Sequence, residues 1–131
     1  MNFIDKLAWL EIQNDKILST KSKGKSIFYL PGGKRELGES DVQALTREIR
    51  EELSVDLQED SVAFIGTFEA QADGHKSGII VRMTCYSGKY IGQLKPGSEI
   101  EEFVWLSYDD KNKISAVDKL IFEWLKTNGK L

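Results

Sequence analysis

Three glutamates, Glu48, Glu51 and Glu52, stand at i, i+3 and i+4 in the stretch GGKRELGESDVQALTREIREELSV, residues 32 to 55. On a helix that spacing gathers the carboxylates on one side. Grouped carboxylates suit a hard divalent cation such as Mg²⁺ or Mn²⁺, and such cations serve chemistry at phosphate. The helix that would carry them is well signalled. Ser40 is a good N-cap, and Gln43 three residues on completes an S-x-x-Q capping box. Val42, Leu45, Ile49 and Leu53 then recur at helical spacing. With Leu45 at zero and about 100° per residue, the other three apolar positions fall between roughly +40° and +80°. On the same scale Glu52 lies near roughly −20°, Glu48 near −60° and Glu51 near −120°. Glu52 is thus on the flank of the buried stripe, where a carboxylate is costly without a partner. Its like-charged neighbours add repulsion. A cation relieves both costs. A solvated acidic face with Arg47 and Glu51 paired at i,i+4 leaves the same pattern, and helix geometry alone does not separate the two.

The wider spacing separates them. Gly33, five residues, Glu39, seven residues, then Arg47-Glu48-Ile49-Arg50-Glu51-Glu52 closely resembles the Nudix box, G-x5-E-x7-R-E-U-x-E-E-x-G-U, with U a bulky aliphatic. Every charged position matches, as do the first glycine and the aliphatics Ile49 and Val55. Ser54 departs from the pattern, standing where the family has glycine. That position follows the helix, where a left-handed backbone is often required. Serine reaches it at a cost of about 1 kcal/mol, so a small stability penalty and an intact site are expected.

The resemblance implies an α/β fold, a Nudix-type α/β/α sandwich with a mixed sheet. It implies an enzyme, a hydrolase that cleaves a diphosphate linked to another moiety, usually a nucleoside. It also implies roles. Glu48, Glu51 and Glu52, with the carbonyl of Gly32, would hold Mg²⁺ or Mn²⁺, Glu51 and Glu52 also counting as catalytic. Arg47 would brace the acids with Glu39 as its partner. In the triphosphate branch an acid outside the box, six residues ahead of a tryptophan, often completes the site; here that is Glu99, with Glu101 and Glu102 nearby. Lys34 and Arg35 are phosphate-binding candidates. At the start of the last helix Ala116-Val117-Asp118 is similar to the A-x-D of cytidine triphosphate-preferring relatives, which makes Asp118 a candidate base reader. A first-turn acid that suits the helix dipole is the competing account of Asp118.

Small size and the lead-in Leu30-Pro31-Gly32-Gly33-Lys34 resemble the MutT-like branch. The expected reaction is therefore a nucleoside triphosphate, oxidised or cytosine-containing ones included, going to monophosphate and pyrophosphate. Enzymes of ADP-ribose or dinucleoside polyphosphates often carry a proline about sixteen residues past the box or a tyrosine near eighteen. Gln71 and Asp73 stand there instead, which lowers that reading. A non-catalytic nucleotide-sensing module is the third, and the intact acid set argues against it.

The remaining elements must position this stretch. The chain has 131 residues, 40% of them hydrophobic, with three Trp, four Tyr and six Phe, which suits one domain over 1–131. Residues 3 to 12 and 16 to 20 read as two strands joined at Asn14-Asp15, a good hairpin pair. Lys21, Lys23 and Lys25 follow in a loop best read as solvated. Residues 27 to 30 form a short apolar run ending at Pro31. Residues 62 to 71 and 79 to 86 read as longer strands, the second alternating with period two. Between them His75, the lone histidine, is left out of the chemistry. Residues 87 to 98 read as a loop, 102 to 106 as a strand, and 115 to 126 as an amphipathic helix. A net charge of −3 with pI near 5.3 disfavours nucleic acid as a partner. Cys85 alone permits no internal disulfide and fits a reducing cytoplasm. No apolar run is long enough to span a membrane. The expected partner is a nucleotide substrate, met by a monomer or homodimer.

Overall fold

The structure, a computed structural model, describes residues 3–72 and 78–131. In chain order the elements are β1 (Phe3–Trp9), β2 (Ile12–Gln13), β3 (Lys16–Ser22), β4 (Gly32–Gly33), α1 (Asp41–Leu53), β5 (Asp56–Leu57), β6 (Ala63–Gln71), β7 (Ile80–Ser87), β8 (Tyr90–Ile91), β9 (Ile100–Leu106) and α2 (Ala116–Thr127). Short 3-10 turns lie at Glu59–Ser61 and Tyr108–Lys113. The main sheet has the order β4-β1-β7-β6. It is mixed: β1 runs parallel to β7, and the other two pairings are antiparallel. A second sheet, β2-β3-β9, is antiparallel, and β5 pairs with β8 in a two-residue ladder.

Alternation along β1 explains the layers. Side chains of successive strand residues point to opposite faces. Leu7 and Trp9 pack with Leu45, Ile49 and Leu53 of α1. Ala8 and, just past the strand, Leu10 belong instead to the core that holds Ile121, Phe122 and Leu125 of α2. Ile49, Leu53, Ile121 and Leu125 are fully shielded from solvent, each contributing about 1.5–3 kcal/mol of gross burial. Two helices thus cover the sheets from opposite sides, which is the expected α/β/α sandwich. Trp9 anchors one layer further, donating from Nε1 to the Gly88 carbonyl at 3.1 Å and meeting Tyr90 edge-on.

The helical expectations match closely. Ser40 caps α1, and both arms of the capping box are formed with Gln43. Ser54 takes the left-handed conformation (φ 64°, ψ 23°) expected just past the helix.

Three strand expectations change. Residues 3 to 12 are two strands, because the Leu10 amide still bonds to Tyr86 of β7 while Ile12 already pairs with Ile17 of β3. The chain crosses between sheets at Leu10 and Glu11. The Asn14-Asp15 turn therefore joins β2 to β3, both residues at positive φ as a tight hairpin requires. The run 27 to 30 makes only isolated bridges, Thr20 with Tyr29 and Phe28 with Ile114. Its Leu30 amide is taken by the Asp118 side chain, and Pro31 has no amide to give. The loop 87 to 98 contains β8. His75 lies outside the described residues.

Candidate active site

Two glycines bring the box onto the sheet. Leu7 of β1 pairs with Gly33 and Ala8 with Gly32. Gly32 has φ 143°, and a Cβ there would collide with the Leu7 carbonyl. A Cβ at Gly33 would collide instead with the Glu48 carboxylate. Gly32 lets β4 lie on β1, and Gly33 lets Glu48 close over β4.

Arg47 is the hub. Its Nε and Nη2 donate to the two oxygens of Glu39 at 2.7 and 2.8 Å. Its Nη1 donates to Glu48 at 2.7 Å and to Glu51 at 3.3 Å, and Nη2 also reaches the Lys34 carbonyl. A guanidinium gripping one carboxylate with two donors is rigid as well as charged. The contact holds the Glu39 carboxyl down at about 2 and the Arg47 guanidinium above its usual range. The turn leading into the helix and the helix itself are thereby tied at one point, with Glu48 fixed in the grip.

Glu52 is the buried acid, 8% exposed, and one oxygen accepts the Gly32 amide at 3.1 Å. Burial pushes its carboxyl up to about 8; Glu48 and Glu99 push the same way, against the Gly32 amide and Lys6. Burial also raises Glu48, against Arg47. Two acids set against their own ionisation at one end of a cleft are what a divalent cation would relieve. Their hard oxygen donors, with the Gly32 backbone beside them, fit Mg²⁺ or Mn²⁺. Among the described residues no three acids stand as a ready-made cage, since Glu51 turns to Arg47 with its side chain half exposed.

Glu99 reaches the same cleft from elsewhere. The amides of Lys95 and Gly97 bond to the carbonyls of Leu53 and Glu52, the last turn of α1. Ser54 Oγ donates to the Lys95 carbonyl at 3.3 Å. These bonds satisfy carbonyls a helix end leaves open, and they fasten the loop that leads into Glu99. The Glu99 carboxylate accepts from Ser98 Oγ, which holds it below the usual range.

The cleft has a volume of about 390 Å³, within the span of small-ligand sites. Glu48, Glu52, Glu99, Gly32, Gly33 and Lys34 line it, together with apolar side chains that include Ile4, Leu30, Val81, Met83 and Val117. The structure thus brings Lys34 together with the acids. Arg35 lies outside the lining, paired with Asp5 at 2.9 Å and Asp41 at 3.3 Å. Asp118 also lies outside it, 1% exposed, with Oδ2 accepting the Leu30 amide at 3.0 Å. Lys21 is drawn away to Glu101 and Glu102, whereas Lys25 does line the cleft. The apolar wall was not read from the sequence, since strand residues that line a cleft look like those of any core. Lys6, also on the lining, was missed too, although a lysine between Ile4 and Ala8 on one face of a central strand was a signal.

The comparisons agree with this geometry. The NUDIX domain model matches residues 7–125. The Escherichia coli ORF135 protein is similar in structure with a TM-score of 0.72 and 26% identity, covering 94% of this chain and 88% of its own. The MutT protein from Methanosarcina mazei has a TM-score of 0.78 at 19% identity, covering 99% and 97%. A MutT NUDIX hydrolase from Burkholderia pseudomallei has 0.76 at 19%, covering 94% and 98%. No curated protein sequence matches the chain. The box on α1, the acids it turns into the cleft and the matched domain together make the chain a member of the Nudix family, a hydrolase of nucleoside diphosphate-linked substrates.

Proposed function

We propose that this Nudix hydrolase converts a nucleoside triphosphate, oxidised or cytosine-containing ones included, to the monophosphate and pyrophosphate. The observation that carries the reading is that one cleft is lined both by the acids Glu48, Glu52 and Glu99 and by apolar side chains such as Leu30 and Val117. That lining suits a polyphosphate held by cations and a base lying against apolar side chains such as Leu30 and Val117.

Glu48, Glu51 and Glu52, with the Gly32 carbonyl, would hold Mg²⁺ or Mn²⁺. A cation there supplies positive charge for phosphate oxygens and makes water a better nucleophile at neutral pH. Arg47 keeps Glu48 in place through its grip on Glu39. Glu52 and Glu99, both on the cleft lining, are the acids to which a proton from attacking water can pass. Lys34 offers its ammonium to phosphate oxygens, and Arg35 joins it if its pairs with Asp5 and Asp41 open. Asp118 acts at the base end, where it holds the Leu30 backbone. The whole chain, 1–131, works as one domain, a monomer or homodimer in the cytoplasm, with no nucleic acid or membrane partner. No helix of the described residues is long and apolar enough to cross a membrane.

The test is a panel of nucleoside triphosphates, ADP-ribose and dinucleoside polyphosphates with Mg²⁺, pyrophosphate and orthophosphate being measured separately. Pyrophosphate and monophosphate from triphosphates are expected. Monophosphate plus a sugar phosphate from ADP-ribose, or two nucleotides from a dinucleoside polyphosphate, with triphosphates untouched, would replace this reading with the conjugate one. Nucleotide binding with no turnover of any member would make the chain a sensor.

A further inference from the structure

Ser98 is held in a strained backbone that neither a hairpin nor a helix end explains. Among the described residues Asn14, Asp15, Ser54 and Ser98 are the non-glycine residues at positive φ. Asn14 and Asp15 turn the β2–β3 hairpin, and Ser54 ends α1. Ser98, at φ 52°, does neither. The Ile100 amide bonds to the Gly97 carbonyl at 3.0 Å, which makes Ser98 and Glu99 the central pair of a tight turn. A positive φ at the first central position is ordinarily left to glycine, asparagine or aspartate. What serine has there and glycine lacks is a hydroxyl, and it donates to the Glu99 carboxylate. Strain retained beside a cleft acid points to function.

The main chain around that turn is fixed from two sides. The Gly97 amide bonds to the Glu52 carbonyl at 2.9 Å, and the Glu99 carbonyl accepts the Lys23 amide at 2.8 Å from the turn after β3. A Cβ on Gly97 would stand 2.5 Å from the Glu51 carbonyl oxygen. Only glycine lets the loop lie this close to the last turn of α1. The turn that carries Glu99 is therefore set directly against the helix turn that carries Glu51 and Glu52. With that backbone pinned, the Glu99 side chain has only its rotamers left, and the Ser98 bond selects among them.

We propose that Gly97 and Ser98 are positioning residues for the hydrolysis. Gly97 sets how close the loop stands to α1, and the Ser98 hydroxyl orients the Glu99 carboxylate on the cleft lining. This rests on the reading of Glu99 as a proton acceptor, though not on which nucleotide is cleaved.

The experiment uses the full chain with Mg²⁺ and whichever substrate the product panel identifies, with urea unfolding of each variant alongside. Glu99→Gln should lower kcat and sets the scale. Ser98→Gly relieves the strain and removes the hydroxyl; kcat should fall about five- to twentyfold with KM little changed, while the urea midpoint holds or rises. Gly97→Ala should lower kcat about ten- to hundredfold. In the Glu99→Gln background neither change should lower kcat much further, because an acid already lost cannot be misplaced. An unchanged kcat in Ser98→Gly or in Gly97→Ala overturns the proposal. So does a urea midpoint of Ser98→Gly that falls together with its kcat, which would make Ser98 a structural residue. Losses that multiply with that of Glu99→Gln overturn it too, since they would act elsewhere. If Glu99→Gln itself leaves kcat intact, or no member of the panel is turned over, the proposal falls with the role of Glu99. A loss in Glu99→Gln with none in the other two leaves that role standing and removes the positioning alone.

Discussion

Glu52 concentrates the conflict between folding and chemistry in one side chain. It sits on the flank of the α1 stripe, almost fully buried, with the Gly32 amide as its hydrogen-bond donor. Glu52→Gln keeps the volume and removes the charge. The Mg²⁺-dependent kcat is expected to fall by at least about a hundredfold, with circular dichroism unchanged. Turnover near wild type at saturating Mg²⁺ would end its assignment as a ligand. Asp118 lies outside the cleft, buried behind Leu30, which lines it. Because its oxygen takes the buried Leu30 amide, Asp118→Ala should cost about 1–3 kcal/mol of stability. If it also helps to read the base, kcat/KM should be reordered among bases by about 1–3 kcal/mol. A uniform drop across bases would leave Asp118 as the support of the 27–31 segment alone. How the sequence showed these two differs. The angular position of Glu52 relative to Leu45, Ile49 and Leu53 is a property of one helix, so its burial was legible. The bond from Asp118 joins residues 88 apart, and no local pattern carries such a contact.

Elements repeat that division. Helix α1 was readable almost to the residue because its start, stripe and end are written within it: the Ser40–Gln43 box, four spaced aliphatics and Ser54. Ser54 itself offers a test. It is held at φ 64°, where L residues are strained and glycine is not. Ser54→Gly should raise stability by about 0.5–1 kcal/mol and leave kcat/KM unchanged, read by urea unfolding and the same assay. No gain in stability would mean that the Ser54 hydroxyl bond to Lys95 matches the strain. The β1–β2 split was not readable, because Leu10 to Gln13 alternates apolar and polar while the partners change from β7 to β3. Likewise β5 and β8 are two residues each, too short to leave a period. The loop before Glu99 looked like a plain connection, yet it closes the last turn of α1 and sets where that acid stands.

For the molecule as a whole, the acids make stability depend on pH and metal together. Glu52 has a folded value near 8 against 4.5 when unfolded. Between those values the metal-free folded state holds a proton that the unfolded state has lost. By linkage, stability therefore falls as pH rises from about 4.5 to about 8. Glu39 works in the opposite sense lower down: held near 2, it contributes stability above 4.5 that is lost as pH falls towards 2. The melting temperature of chelator-treated protein should decline across pH 5 to 8, and added Mg²⁺ should restore more at pH 8 than at pH 5. Glu52→Gln should flatten the decline. A metal-free profile that rises over that range would contradict the burial of the acid.

The parallel pairing of β1 with β7 bears on how the chain is made. Phe3 lies opposite Ile80 and Trp9 opposite Tyr86, so β1 leaves the ribosome with its main partner roughly seventy-seven residues behind it. At about 5–20 residues per second, β1 waits several seconds with Leu7, Trp9 and Leu10 uncovered. The β2–β3 hairpin can form at once, and α1 can coil, but neither has a finished sheet to rest on. β3 waits longer still, for β9. Assembly of the cleft therefore waits until β7 and β9 have emerged, and the nascent chain before that point is a natural client for a chaperone that holds apolar strands.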